Sequence, residues 1–288
     1  MSSIATHFST FLIIFTIGFR RLYCSSSLYL KDPSFYRSKP WFFIDPKWKN
    51  LDFYTLLIFL PIISFSDFFM FLSFSGYPSY KFIFLQHATL IFLFWVLLVL
   101  IIFRESFNLL IIHEGFVYVL AGICFLIEYL ISGNSFSGVA NIMYDLLGHL
   151  TLVCAFCCLY LSVRPTAFLA DFCLSSGLMF KGTWVLQVGL NMYTQTFGLK
   201  GCNTMPLLPD KDNVDIKCDL NEDGLRGVTL MNLLFVCHAI VVLITCFGLF
   251  GVLSCKEDLR CGEGSGPLLP RVESHGTLLQ SVPEREME

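Results

Sequence analysis

Charge is scarce in this chain: only 14% of its 288 residues are Asp, Glu, Lys or Arg, against roughly 25% in an ordinary soluble domain. The net charge is −3 and no Lys/Arg stripe stands out, which argues against a nucleic-acid partner. No zinc-ribbon cysteine spacing, P-loop or dinucleotide glycine fingerprint occurs, so the common nucleotide and structural-zinc classes lack their signatures. The His-x-x-x-His pair that places two zinc ligands on one helical face is also missing. No Asn-x-Ser/Thr acceptor is present, so no N-linked glycan would report lumenal exposure.

Apolar residues take the place of charge. They make up 55% of the chain and include 31 Phe, and mean hydropathy is +0.68. A soluble fold of this size could not hide so much apolar surface, so lipid must solvate part of it. Seven segments have the length and composition of spans: Ile4–Phe19, Leu51–Phe74, Phe82–Phe103, Ile111–Ser132, Phe136–Val163, Ala167–Thr194 and Val228–Ser254. The expectation is an all-α, polytopic membrane protein built as a seven-transmembrane-helix bundle over residues 1–254. The first segment lacks the basic n-region and small-residue cleavage site of a signal peptide and reads as a retained helix, a cleaved leader being the alternative. Beyond Ser254 the composition turns to Gly, Pro, Glu and Ser, so residues 255–288 are expected to form a disordered tail.

Sidedness follows from basic residues in the connections. Thirteen of the 19 Lys and Arg lie in the first, third and fifth loops and the tail; five lie on the opposite side, and Lys181 is inside a segment. This predicts a lumenal or extracellular N-terminus and a cytosolic C-terminus, in the endomembrane system or plasma membrane. Cys202 and Cys218 then share a long exoplasmic loop, about 195–227, where an oxidising compartment permits a disulfide; two free thiols are the alternative. The other cysteines inside segments read as small apolar packing residues. The first cytosolic loop, Arg20–Lys49, is basic and aromatic, and either lies against anionic lipid or simply carries topology charge.

Several motifs follow one another in a recognisable order: Leu-Gln-His-Ala-Thr at 85–89, Glu128 late in the fourth segment, and Lys-Gly-Thr-Trp-Val-Leu-Gln-Val-Gly at 181–189. With His7 and His238 in the outermost segments, this order resembles the transmembrane protein 45 family. Gly201-Cys202, Cys218, Leu225-Arg226-Gly227 and the Tyr36–Trp41 run resemble its plant branch. The resemblance covers about residues 4–254 and implies a seven-helix membrane protein without an established biochemical activity. This chain departs from the pattern at several polar positions. The stretch Ile131–Asn141 holds no histidine, where the family is histidine-rich. Asp145 stands where the family has a later His, Asp67 where it has Glu, and Lys181 where it has Gln. If those polar positions bind a metal or proton in the family, this member has rewritten much of the set.

An ionisable side chain inside hydrocarbon is costly and usually has a partner or a task. Counting at 1.5 Å per residue, His87 and Glu128 lie roughly 5–8 Å from the exoplasmic ends of their segments. Asp67 and Asp145 lie roughly 10–12 Å in, and His238, His149 and Lys181 roughly 15–18 Å in. These seven residues form the candidate intramembrane polar cluster. Asp145 and His149 are four apart on one face and can hydrogen-bond. Glu114 and His113 are expected to snorkel at the cytosolic boundary. The cluster could cross-link helices, hold a charge-compensated proton pathway, or take part in chemistry. No catalytic residue is assigned, because no nucleophile, base and orienting group come together in the sequence.

Three roles follow. The first is a membrane scaffold or trafficking role, with protein partners recruited by the cytosolic tail. The alternative is a transporter or proton-coupled channel that uses the polar cluster. The third is a metal-dependent membrane enzyme. No cofactor is expected; a metal ion is allowed by the residue types but has no ligand spacing behind it.

Overall fold

The computed structural model describes residues 4–43, 50–73, 78–107, 113–132, 138–194, 199, 201–208 and 211–257. It is a helical protein with one small hairpin. The elements in chain order are α1 (Ile4–Lys31), α2 (Leu51–Ser73), α3 (Pro78–Phe107), α4 (Glu114–Ser132), α5 (Gly138–Val163), α6 (Phe168–Tyr193), β1 (Cys202–Leu208), β2 (Lys211–Cys218) and α7 (Asn221–Glu257). Six helices are long and apolar enough to cross a membrane: α1 to α5 and α7. The sequence reading expected seven. The exception, α6, is 26 residues long but carries Asp171, Lys181, Asn191 and several Ser and Gly residues. Its polarity fits its position, since most of its residues are buried by its neighbours.

The first helix departs most from expectation. Hydropathy falls at Arg20, where the sequence reading ended the span at Phe19, yet the helix continues to Lys31. No Gly or Pro interrupts it after Gly18 until Pro33, and the residue before a proline disfavours the α region. Asp32 sits there and caps the turn, its Oδ1 accepting from Ser34 N–H at 3.1 Å and Ser34 O–H at 2.7 Å. Arg20 and Arg21 are therefore helical residues rather than part of a loop. At the other end of the chain, α7 starts at Asn221 and runs 37 residues to Glu257, so Cys255–Glu257 belong to this helix and not to a tail. The remainder of the expected disordered tail, 258–288, lies outside the described residues.

The 195–227 loop was read without regular structure. Within it β1 and β2 pair antiparallel, Cys202 opposite Cys218, and these two cysteines are disulfide-bonded. Ile216 of β2 joins the core formed by α5, α6 and α7, so the hairpin sits against the ends of those helices.

Helix α6 is central. It packs against α1 on one side and against α5 and α7 on others. The main core gathers Trp184, Met143, Val139, Met192 and Met231, all nearly sealed from solvent. Trp184 donates its indole N–H to the Met143 carbonyl at 3.1 Å, so its one polar atom has a partner when buried. Close approach of α1 to α6 depends on glycine. A Cβ added at Gly182 would lie 2.9 Å from the Phe15 backbone nitrogen, and one at Gly18 would lie 2.8 Å from that of Met179. Small residues at such crossings let helix backbones approach and pack.

Helices α2 and α3 form a hairpin of their own. Pro61 interrupts α2, and a proline removes the hydrogen bond to the carbonyl four residues earlier. That carbonyl belongs to Leu57, and the Trp95 indole N–H of α3 donates to it at 3.0 Å. Ser64 adds a second bridge, donating to the Ala88 carbonyl at 2.8 Å.

Replacing Gly182 by Leu should push α1 off α6. Overpacking of this kind costs about 1–3 kcal/mol, so detergent-solubilised Gly182→Leu should unfold at a clearly lower temperature than wild type. An unchanged unfolding temperature would contradict the backbone contact.

Candidate functional site

Two charge clusters lie on α6, ten residues apart and so about 15 Å along its axis. The first centres on Asp171, which has no solvent exposure. Asp171 Oδ1 accepts from Arg21 Nε at 2.6 Å. Its Oδ2 accepts from the Tyr36 hydroxyl at 2.5 Å and from Ser38 Oγ at 2.6 Å. The remaining Arg21 nitrogens are also used: Nη1 donates to the Lys39 and Pro40 carbonyls, both at 3.2 Å, and Nη2 to Ser38 Oγ at 3.0 Å and Tyr118 Oη at 2.7 Å. A guanidinium has five N–H groups, and here all five find acceptors.

Proton positions follow from the hydrogen bonds themselves, since Ser38 Oγ donates to Asp171 Oδ2. Ser38 must give its proton to the carboxylate, so in the 2.5 Å contact between Ser38 and Tyr118 the tyrosine is the donor. Arg21 then donates to a Tyr118 oxygen that has lone pairs to spare. Tyr36, in the loop outside the helices, has its hydroxyl pKa pushed up, first by burial and then by the neighbouring Asp171 carboxylate.

The loop run Tyr36–Trp41 supplies most of this shell. Tyr36 and Ser38 reach Asp171, and the Lys39 and Pro40 carbonyls receive Arg21. Arg37 pairs with Glu114 at 2.8 Å, and Glu114 also takes Arg104 at 2.6 Å. Glu114 is thus held between two arginines instead of reaching freely to water, because both cations come within range of one carboxylate. Trp41 lies under Arg20, whose guanidinium pairs with Asp52 and donates to Asn50 Oδ1 at 2.5 Å and the Phe42 carbonyl at 2.7 Å.

The second cluster contains sequence-predicted residues. Lys181, 3% exposed, donates to Glu128 Oε2 at 2.5 Å and lies 5.3 Å from the centre of the Phe125 ring. Asp67 and His87 form a separate pair at 2.6 Å across the α2–α3 hairpin, with His87 57% exposed. Both pairs border one cavity of about 390 Å³ between that hairpin and α1, α4 and α6, which His87, Glu128 and Lys181 help to line.

The other three candidates stand apart. His238 is half-buried and stacks on Phe180, ring centres 5.5 Å apart, with Trp184 at 6.0 Å. No hydrogen bond joins Asp145 to His149 among the described residues, although their spacing permits one. His149 is exposed, with its ring 6.4 Å from that of Tyr129. Gly148 makes the notch beside it: a Cβ there would lie 3.3 Å from the Tyr129 ring. His7 is buried, with Nε2 3.4 Å from the Tyr144 hydroxyl. No group of three or more His, Cys, Asp or Glu that could hold a metal occurs among the described residues.

Sequence reasoning missed the Asp171 cluster. Arg20 and Arg21 looked like topology charges, Asp171 was not singled out, Tyr118 carried no motif, and the Tyr36–Trp41 run that holds Ser38 was read only as a family resemblance. The usable signal was Asp171 near the start of an apolar segment, since a carboxylate in that setting needs a partner.

Comparison with known proteins bears on the second half of the chain. Residues 114–251 match a family model described as a family of unknown function (DUF716). The match takes in α4 to α7, and hence Tyr118, Glu128, Asp171 and Lys181, but stops short of α1 to α3. No curated protein matches the chain.

Removing one member of a buried ion pair costs about 3–5 kcal/mol. Asp171→Asn should therefore lower thermal stability in detergent severely, while the double variant Arg21→Met with Asp171→Leu should recover most of the loss. A double variant no more stable than the single one would show that the pair itself is not what the site loses.

Proposed function

We propose that the chain is a seven-span integral membrane protein of the transmembrane protein 45 type with a non-catalytic scaffold or trafficking role. Its N-terminus faces the lumen or cell exterior and its C-terminus the cytosol. Asp171 meets Arg21 of α1, Lys181 meets Glu128 of α4 and Asn191 meets Met231 of α7, which supports counting α6 as a seventh span shielded from lipid by its neighbours. The observation that carries the role is the saturation of the Asp171 cluster. Arg21 spends all five N–H groups, and Asp171 accepts three hydrogen bonds, within one shell. A group closed in this way holds helices and a loop in one arrangement; it has no free position for a substrate. The residues that resemble the transmembrane protein 45 family fall on both clusters: Tyr36–Trp41 on the first, Glu128 and 181–189 on the second.

A transport role is the second reading. It is favoured by the placement of Lys181, Glu128 and His87 on a single cavity, since buried charges often line pathways. Proton uptake or solute flux in liposomes separates the two. The scaffold reading expects Glu128→Gln to behave as wild type; a Glu128→Gln variant that abolishes a measurable wild-type flux would establish transport instead.

Side-specific thiol labelling of single cysteines placed at positions 2 and 284 should put the two termini in opposite compartments. Deletion of residues 258–288 should change localisation or the set of co-purifying proteins. Termini in one compartment would overturn the seven-span topology, and a deletion without effect would overturn recruitment by the tail.

A further inference from the structure

The α2–α3 hairpin is fastened within itself and packs in part on α1 and α4, and a cavity of about 390 Å³ lies between it and α1, α4 and α6. The lining runs from Thr6 to Arg21 on α1 and from His87 to Ile101 on α3, each about 20 Å at 1.5 Å per residue. Volume over length gives a cross-section of about 20 Å², the calibre of one extended hydrocarbon chain. The length also suits a single lipid tail, since one leaflet of a hydrocarbon core roughly 30 Å thick spans about 15 Å. Just over half of the wall is Ile, Leu and Phe, a surface that suits a hydrocarbon chain better than water.

The two ends of the cavity differ in what they can still bind. At the Arg21 end every guanidinium N–H already has an acceptor. Lys181 has three N–H donors; one reaches Glu128, and the other two find no acceptor among the described residues. His87 stands near the same end, with Nδ1 on Asp67. When Nδ1 carries the proton, Nε2 is an acceptor. A head bearing a carbonyl and a hydroxyl complements this pair of groups. Charge selects further. Lys181, Arg20 and Arg21 each already have a carboxylate partner, and Asp67 faces a His87 neutral in that tautomer. An anionic head would therefore bring an uncompensated charge out of water, while a cationic one would meet the Lys181 ammonium instead of accepting from it.

We propose that this cavity binds a single-chain, uncharged amphiphile of the monoacylglycerol type, its chain lying along α1 and α3 and its head hydrogen-bonded to Lys181. Such a ligand requires only that the bundle lie in a bilayer and is independent of a scaffold role or of the tail.

The test uses the full chain in phosphatidylcholine nanodiscs and a monoacylglycerol analogue with a diazirine in its chain and an alkyne for detection. Labelling should saturate and map to peptides holding Ile13, Ile17 and Leu97. Unlabelled monoacylglycerol should compete at least tenfold better than a fatty-acid anion or a two-chain phospholipid. Ala121→Phe, which fills the cavity, should lower saturable labelling at least tenfold while thermal unfolding stays cooperative. Leu60→Trp, nearer the rim, serves the same purpose if Ala121→Phe does not fold. Labelling that never saturates, that maps to the outward faces of the helices, that survives both filled variants, or that the anion or phospholipid displaces better would overturn the proposal.

Discussion

A guanidinium and a carboxylate taken out of water need every remaining hydrogen-bonding position filled, and that demand organises one end of this protein. Desolvation of such a pair can exceed its Coulombic gain unless additional hydrogen bonds complete it. Arg21 and Asp171 meet the condition by drawing groups from four places: α1, α6, the Tyr118 hydroxyl of α4 and the loop after α1. The loop cannot take another path without orphaning donors. Ser38 is further pinned by its own N–H, which donates to the Pro165 carbonyl at 2.8 Å and so connects the first loop to the turn between α5 and α6. One ion pair thereby fixes five segments of chain.

The Lys181–Glu128 pair is built to a different standard. Lys181 reaches α4 through one carboxylate oxygen of Glu128 and has ammonium donors left over, and the carboxylate keeps some exposure. The contrast between a closed pair and an open one on the same helix separates architecture from a place where something else could bind. It also explains why α6 tolerates so much polarity. Its polar side chains meet partners on neighbouring helices, and its own hydroxyls return to its backbone, as Ser175 and Ser176 do to carbonyls four residues back.

Hydropathy made much of the helical layout legible, because the ends of α2, α4, α5 and α6 fall where apolar runs stop. It failed where helix and apolar run are not the same thing. At Arg20 the chain becomes polar but nothing breaks the helix until Asp32-Pro33. At 202–218 the alternation of Val214, Ile216 and Cys218 with charged residues was a strand signal too short to outweigh a polar loop. Long-range pairing was illegible altogether. Asp171 lies 150 residues from Arg21 and Glu128 lies 53 from Lys181, and nothing local distinguishes those partners from others of like charge. The one pairing argued from spacing, Asp145 with His149, does not form, because helical proximity permits a bond without requiring it. Tyr129 occupies the space beside Gly148 instead.

The proline of α2 carries a mechanical meaning. A transmembrane proline ordinarily gives a helix a hinge, since the carbonyl it frees can lengthen away and reform. Here the freed Leu57 oxygen is held by an indole of the adjoining helix, so the hinge is splinted from outside. Any bend of α2 at that point would have to carry α3 with it, which makes the pair one stiff unit.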